Sequence, residues 1–165
     1  MKMKKILLML AMVLPLSVFA QKLGHVNTQE VFAQMPELNK VRQQIDTLQG
    51  QYENQIASMQ EEFNKKVTDY QQNEATLADA VKQYRQQELA EMEQRIQLFY
   101  QTAQQDIQKK QQELLAPLHE KLTKAIQEVG NEGAFTYIFD SAAMVYINPD
   151  ATDVTPQVRK KLGIQ

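Results

Sequence analysis

The chain has 165 residues, enough for one ordinary domain, and it contains no cysteine. Its 18 Lys and Arg residues are outnumbered by 20 Asp and Glu residues, and three of the lysines lie in the first five positions. Phosphate binding needs a basic face, so this balance argues against nucleic acid as a partner. The lack of cysteine excludes disulfides and thiolate metal sites.

Residues 1–20 predict a secretory signal peptide. Lys2, Lys4 and Lys5 precede an apolar stretch at residues 6–19, and Ala20 supplies a small residue at the expected cleavage site. A membrane anchor is the alternative, although a spanning helix needs about 20 apolar residues and this stretch is shorter. Removal of the three lysines leaves 15 basic and 20 acidic residues in an exported chain.

The next segment predicts one short strand and one short helix. Residues 22–27 are partly β-branched and favour a strand. Thr28 can cap a brief helix that runs to Phe32, because its hydroxyl can accept a backbone N–H. Pro36 then interrupts the chain before a different pattern begins.

Two long amphipathic helices follow. Apolar residues recur every three or four positions from Leu38 to Tyr70, and a second apolar stripe runs from Leu77 to Val129. Polar turn residues at 71–76 separate the two stripes. Neither helix is stable alone in water, because its apolar stripe needs a partner. The two helices are therefore expected to pack as an antiparallel coiled-coil hairpin.

The second helix carries two further signals. Pro117 removes a backbone hydrogen bond and predicts a kink near Ala116. The glycines at 130 and 133 predict the end of the helix. The helical hairpin therefore occupies residues 37–129.

The pattern then changes to the period of a β-strand. Residues 135–139 and 144–147 predict two strands, with a turn at 140–143 between them. Thr155 followed by Pro156 predicts the cap and first turn of a final short helix.

These elements predict a mostly helical α+β protein. The hairpin projects from a small β-containing body formed by both termini, residues 21–36 and 130–165. Such a body buries little apolar surface, and three short strands leave unpaired edges. Self-association through the strands is the expected remedy.

The chain resembles the Skp/OmpH family of periplasmic chaperones, in the variant common in Bacteroidetes-like bacteria. The resemblance covers essentially the whole chain and is most specific towards the C-terminus, in LLAPL at residues 114–118, FTYIF at 135–139, VYINPD at 145–150 and DVTPQV at 153–158. At the N-terminus, GHVN at residues 24–27 matches the family's first strand.

The resemblance implies a periplasmic homotrimer whose strands form a central body and whose hairpins enclose a cavity. Unfolded outer-membrane β-barrel proteins would be held there without ATP on the way to the outer-membrane assembly machinery. No nucleotide-binding loop occurs in the sequence. Residues 61–95 hold eight acidic and five basic side chains, so lipopolysaccharide binding is not carried over from basic family members.

Two sets of candidate residues follow. The core of the trimer body is expected to contain Val26, Phe32, Phe135, Ile138, Val145 and Ile147. Candidate client contacts on the arm are Met59, Phe63, Tyr70, Tyr84, Met92, Leu98 and Tyr100. Leu98 and Tyr100 flank Phe99 and cannot all face one partner helix, although these side chains could instead widen the helix interface.

No catalytic, cofactor or metal site is expected. His25 and His119 have no metal-ligand spacing, and the aspartates at 140, 150 and 153 fit turns better than a Ca²⁺ site. No serine has a histidine partner for nucleophilic catalysis. An enzyme is therefore disfavoured, and the alternative to a chaperone is a structural adaptor or spacer of a periplasmic envelope complex.

Overall fold

The computed structural model describes residues 21–164. The expected signal peptide at residues 1–20 lies outside the described residues. Within 21–164, no helix is both long enough and apolar enough to cross a membrane.

The predicted hairpin is present. A short strand, β1 (Leu23–Val26), and a short helix, α1 (Thr28–Ala33), lead into the first arm helix, α2 (Glu37–Asn73). A 3₁₀ turn (Glu74–Thr76) then leads to the second arm helix, α3 (Asp79–Glu132). At 1.5 Å per residue, α2 is about 55 Å long and α3 about 80 Å. The helices are antiparallel, since Tyr52 of α2 contacts Asp106 of α3 and Lys66 contacts Glu88.

The three strands form an all-parallel sheet. β2 (Tyr137–Asp140) and β3 (Thr152–Asp153) pair with opposite edges of β1, so the order is β2-β1-β3. Leu23 pairs with Tyr137, and Gly24 pairs with Thr152. Parallel neighbours need long crossovers, and the whole arm is the crossover between β1 and β2. The final helix, α4 (Thr155–Lys161), follows β3 directly.

The prediction of a strand at residues 144–147 is wrong. Residues 141–143 form a 3₁₀ turn as the chain leaves β2, but the residues after it pair with no strand. The third strand is β3 instead, on the far edge of β1. Because β2 and β3 occupy opposite edges, the chain between them must cross the sheet and cannot return as a hairpin.

Two predicted caps are also displaced by one or two residues. Asn27, not Thr28, caps α1, because its side chain accepts a hydrogen bond from the Glu30 backbone N–H. The Thr28 hydroxyl instead donates to Asp140. At α4, the Asp153 carboxylate accepts the Thr155 backbone N–H, so Asp153 performs the capping expected of Thr155.

The predicted end of the second arm helix is short by three residues, since α3 continues past residue 129 to Glu132 and Gly133 is its C-cap. Helix α3 continues through Pro117. The kink near Ala116 stays a prediction.

The hydrophobic core lies where the arm meets the body. One cluster joins β1, α1, the first turns of α2, the last turns of α3, and α4; its members are Val26, Val31, Met35, Leu38, Val41, Leu118, Leu122, Ala125, Val129, Val154, Val158 and Leu162. Further out along the described arm, only Met92 and Ala103 are buried. The predicted class, mostly helical α+β with a long hairpin on a small body, is confirmed.

Candidate functional site

One face of the sheet is covered and the other is bare. On β1, Gly24 and Val26 are buried against the core, so the alternation of a strand turns Leu23 and His25 to the opposite face. That face also carries Tyr137 and Phe139 of β2, which are 56% and 42% exposed. All-parallel sheets are normally covered on both faces. This outer face therefore lacks its second layer in a single chain.

The segment that crosses the sheet adds to the bare surface. Val145 and Tyr146 are 106% and 76% exposed. A small cavity of about 180 Å³ opens on the outer face, lined by Leu23, Gly24, His25, Phe139, Met144, Tyr146, Ile147, Asn148 and Ala151. The outer face, defined by Leu23, His25, Tyr137, Phe139 and residues 144–147, is thus an apolar surface with a pocket in it.

The residues expected in the body core have different environments. Val26 is fully buried, and Phe32, Phe135 and Ile138 are half-buried and pack against the core cluster. Ile147 is half-buried beside the outer-face cavity. Val145 is fully exposed among residues 21–164. The role of these residues in a trimer stays a prediction.

The interface between the arm helices is apolar near the body and contains both apolar and charged side chains near the tip. Lys66 of α2 reaches Glu88 of α3 at 2.6 Å, and Arg85 reaches the same carboxylate at 3.0 Å. These three side chains are partly buried between the helices. The hydrogen bond from Lys66, followed by that from Arg85, lowers the pKa of Glu88 below its ordinary value. Ion pairs therefore lie among the half-buried apolar residues of the distal interface, where the sequence pattern predicted apolar contacts alone.

The candidate arm residues differ in how far they are buried between the two helices. The sequence pattern placed Val81 and Tyr84 in the helix interface, but Lys82 and Arg85 occupy that position, and Val81 and Tyr84 are 40% and 65% exposed. Met92 is buried in the interface, and Met59, Phe63 and Tyr70 are half-buried along it. Tyr84, Leu98 and Tyr100 are the exposed members, with Leu98 at 63% and Tyr100 at 52%.

Some of these surface residues were missed by sequence reasoning. Leu23, Tyr137, Phe139 and Tyr146 were not singled out, although apolar residues at every second position of a strand mark one face. Such a pattern cannot say which face the core covers. The Lys66–Glu88–Arg85 cluster was missed because the pattern of apolar residues does not show where two helices match charges.

Residues that resemble chemical sites have structural roles. Asp140 accepts hydrogen bonds from the Thr28 hydroxyl and the Ala142 backbone N–H, and the first of these lowers the pKa of its carboxyl. The His119 ring stacks on Phe32 at 4.3 Å. His25 Nδ1 lies 3.8 Å from an Asp153 carboxylate oxygen. No group of three or more possible metal ligands occurs in residues 21–164.

Comparison with known proteins gives the same architecture. A family described as "Outer membrane protein (OmpH-like)" matches residues 22–162. The chain belongs to the OmpH-like family. It is 24% identical over 153 residues to the chaperone protein Skp of Yersinia enterocolitica, covering 93% of each chain. A solved structure of a putative outer-membrane chaperone (OmpH-like) from Caulobacter crescentus CB15 superposes with a TM-score of 0.76 at 16% identity, covering 86% of this chain and 83% of that one.

Membership of the OmpH-like family identifies the class of function. The OmpH-like family is one of periplasmic chaperones and not of enzymes. The chain's long hairpin on a small sheet-containing body is the fold of the OmpH-like structure from Caulobacter. The bare outer face of the sheet and the exposed side chains of the arm are the surfaces on which such a function would depend.

Proposed function

We propose that this chain is an ATP-independent periplasmic holdase. Three copies assemble through their sheets, and their arms enclose a cavity that holds unfolded outer-membrane β-barrel proteins. The observation that carries the proposal is a pair of exposed apolar surfaces in one chain: the outer face on the body and separated residues along the arm.

The outer face supports assembly. It contains five large apolar side chains that are at least 42% exposed, namely Leu23, Tyr137, Phe139, Val145 and Tyr146. A contiguous apolar surface of this kind marks an interaction site. The strands are parallel, and such sheets need cover on both faces. A second copy supplies matching apolar side chains, so closed self-association covers every copy's face.

The arm supports weak and reversible holding. Its exposed apolar residues are scattered, with Tyr84 and Leu98 about 21 Å apart along α3 at 1.5 Å per residue. An unfolded barrel strand is only alternately apolar, so spaced shallow contacts match it better than one deep pocket. Because each contact is weak and breaks readily, the client can dissociate without ATP. The client would then pass to the outer-membrane assembly machinery.

The polar contacts of the distal arm support adaptation to clients of different size. Ion pairs between partly exposed side chains contribute about 0–1 kcal/mol each. The Lys66–Glu88–Arg85 cluster therefore holds the tip less firmly than apolar side chains at the same three positions would. Arms whose tips separate or bend at low cost can enclose chains of different length.

The test is the solution mass of residues 21–165 by light scattering, alone and with a urea-diluted outer-membrane barrel protein. A trimer that forms a soluble complex with the client is the expected result. A trimer that leaves the client to precipitate would favour the structural adaptor instead. A stable monomer would contradict assembly through the outer face.

A further inference from the structure

The middle of α3 carries an unbroken face of glutamine. Eight glutamines lie between residues 94 and 112, at positions 94, 97, 101, 104, 105, 108, 111 and 112. At 100° per residue they fall within an arc of about 120°, and no other residue type from this stretch falls in that arc. We call these eight residues the glutamine face.

The side-chain amides of the glutamine face are not paired with any group among the described residues. All eight side chains are exposed, and none has a hydrogen-bond partner within residues 21–164. Other exposed positions of α3 form ion pairs one turn apart, such as Glu120 with Lys124 at 2.8 Å. The glutamine face has no such pairs and no charge. Solubility or helix formation alone would be served equally by Lys and Glu.

Two exposed apolar residues border the glutamine face. Leu98 lies about 20° beyond one edge of the arc and Tyr100 about 20° beyond the other. The residues that contact α2, among them Phe99 and Ala103, lie on the opposite side of α3. The surface therefore has neutral amides along its centre and an apolar side chain at each border.

This arrangement matches the chemistry of an extended polypeptide. A glutamine amide offers one oxygen acceptor and two N–H donors, the same groups that an unpaired backbone presents. Residues 94 and 112 are about 27 Å apart along the helix, which is the length of about eight extended residues. A membrane-spanning barrel strand has about 9–11 residues. A neutral face neither repels nor selects by charge.

We propose that the glutamine face binds the unpaired backbone edge of an extended client segment, while Leu98 and Tyr100 contact its apolar side chains. This inference rests on the proposed holdase function and names what the arm recognises, namely backbone amides rather than charge. A neutral hydrogen bond in water contributes little net free energy, about 1 kcal/mol, so eight such groups give broad and reversible binding.

The test uses a peptide of about ten residues with alternating apolar and polar side chains. A second peptide of the same sequence carries N-methyl groups on every backbone nitrogen, which removes the N–H donors of both edges and keeps every side chain. Calorimetry measures the Kd of each peptide for the wild-type assembly and for a variant with Gln97, Gln101, Gln104 and Gln108 replaced by Ala. Alanine favours helix, so α3 is retained, as circular dichroism would verify.

We expect N-methylation to weaken binding to the wild type by about tenfold, and to have little effect on the four-alanine variant, whose affinity for the unmodified peptide is already reduced. A matched control places alanine at four exposed arm glutamines outside the glutamine face, Gln43, Gln71, Gln72 and Gln127, and should bind like the wild type.

Three results would overturn the inference: no binding of the unmodified peptide to the wild type, equal loss on methylation in wild type and variant, or a variant that binds as tightly as the wild type. Aggregation of a urea-diluted barrel protein separates the two proposals. A wild type that fails to suppress it contradicts the holdase function itself. A four-alanine variant that suppresses it as well as the wild type contradicts only the role of the glutamine face.

Discussion

At the scale of single residues, Val145 and Asp140 have different environments: Val145 is exposed, whereas Asp140 is held by hydrogen bonds. The Val145 side chain is fully exposed beside an apolar pocket of about 180 Å³. The Asp140 carboxylate instead makes two hydrogen bonds that join β2 to α1 and to the 3₁₀ turn after it. The first residue should matter only to assembly, and the second should matter to the stability of each chain.

Replacing Val145 by Asp should abolish assembly without unfolding the single chain. The side chain contacts no core within one chain, so the change adds only a charge to a surface that another copy must cover. Light scattering should show loss of the trimer mass while circular dichroism keeps its helical signal. Val81→Asp is the control, since Val81 is 40% exposed in the first turn of α3, where an acidic residue is favourable. A V145D protein that remains trimeric would contradict the proposed interface.

Replacing Asp140 by Asn should lower the free energy of unfolding by about 1–2 kcal/mol at neutral pH, because a charged acceptor is lost. Hydrogen bonding to Thr28 lowers the pKa of Asp140 below its usual value of 3.8. The stabilisation is therefore complete above about pH 5 and is lost as the pH falls through the lowered pKa. Urea unfolding at fixed protein concentration should show the difference between wild type and D140N shrinking towards pH 3. A constant difference would contradict the assignment.

At the scale of elements, the arm and the sheet are held together differently. The sheet packs tightly on the core: a Cβ atom added to Gly24 would lie 2.9 Å from the Phe135 ring. Gly50 lies inside α2 and has no neighbouring atom within 4 Å of such a Cβ. The same substitution should therefore have opposite effects in the two elements.

Gly50→Ala should stabilise the protein by about 0.5–1 kcal/mol, since it removes backbone entropy from the unfolded chain and clashes with nothing. Gly24→Ala should destabilise it by about 1–3 kcal/mol, because the added methyl group forces the Phe135 ring to move within a packed region. Urea unfolding midpoints measure both. Equal signs for the two variants would contradict the difference in packing.

The ion-paired cluster of the arm gives a local prediction. Glu88→Gln removes the carboxylate that both Lys66 and Arg85 contact, and leaves two cations partly buried side by side. Hydrogen exchange should show that the free energy of local opening of the distal arm falls by about 1 kcal/mol, while that of the body is unchanged. Glu113→Gln is the control, because its pairs with Lys109 and Lys110 lie on the exposed surface. Equal effects of the two substitutions would contradict a special role for the cluster.

At the scale of the whole molecule, the two exposed surfaces lie on separate parts of one chain. The outer face belongs to the body, and the exposed apolar side chains and the glutamine face belong to the arm. The core cluster at the base of the hairpin lies between them. Assembly and client holding should therefore be separable by mutation.

Combined replacement of Tyr84, Leu98 and Tyr100 by Ser should weaken suppression of client aggregation severalfold and leave the trimer mass unchanged. These side chains are 52–65% exposed and contribute little to the packing of the arm. Their replacement should therefore remove apolar contacts with a client and leave the fold intact. Turbidity of a urea-diluted barrel protein measures the effect. Serine at Gln43, Gln71 and Gln72, which are exposed polar arm residues, is the control. Undiminished suppression by the triple variant would remove these residues from the client surface.

The sequence by itself determined the two long helices, a break between them near residues 71–76 and a helix end near the glycines at 130 and 133, because these depend on local spacing, polar turn residues and a glycine cap. The structure moves these boundaries by a few residues, since α2 continues to Asn73 and α3 ends at Glu132. The residues quoted for the resemblance were enough to indicate the family, which the comparison confirms. Of the seven candidate arm residues, Leu98 and Tyr100 could be placed off the apolar stripe because both flank Phe99, but the exposed Tyr84 could not be told from the interface residues.

Only the tertiary structure decided the pairing of the strands, the bare face of the sheet and the ion-paired tip of the arm. Residues 144–147 have the composition of a strand, yet they lie in the segment that crosses the sheet from β2 to β3 on the opposite edge of β1. Val81 and Tyr84 continue an apolar stripe, yet the rotation of α3 against α2 brings Arg85 and Glu88 to the interface instead. Both outcomes depend on how distant segments meet, and local periodicity carries no information on that.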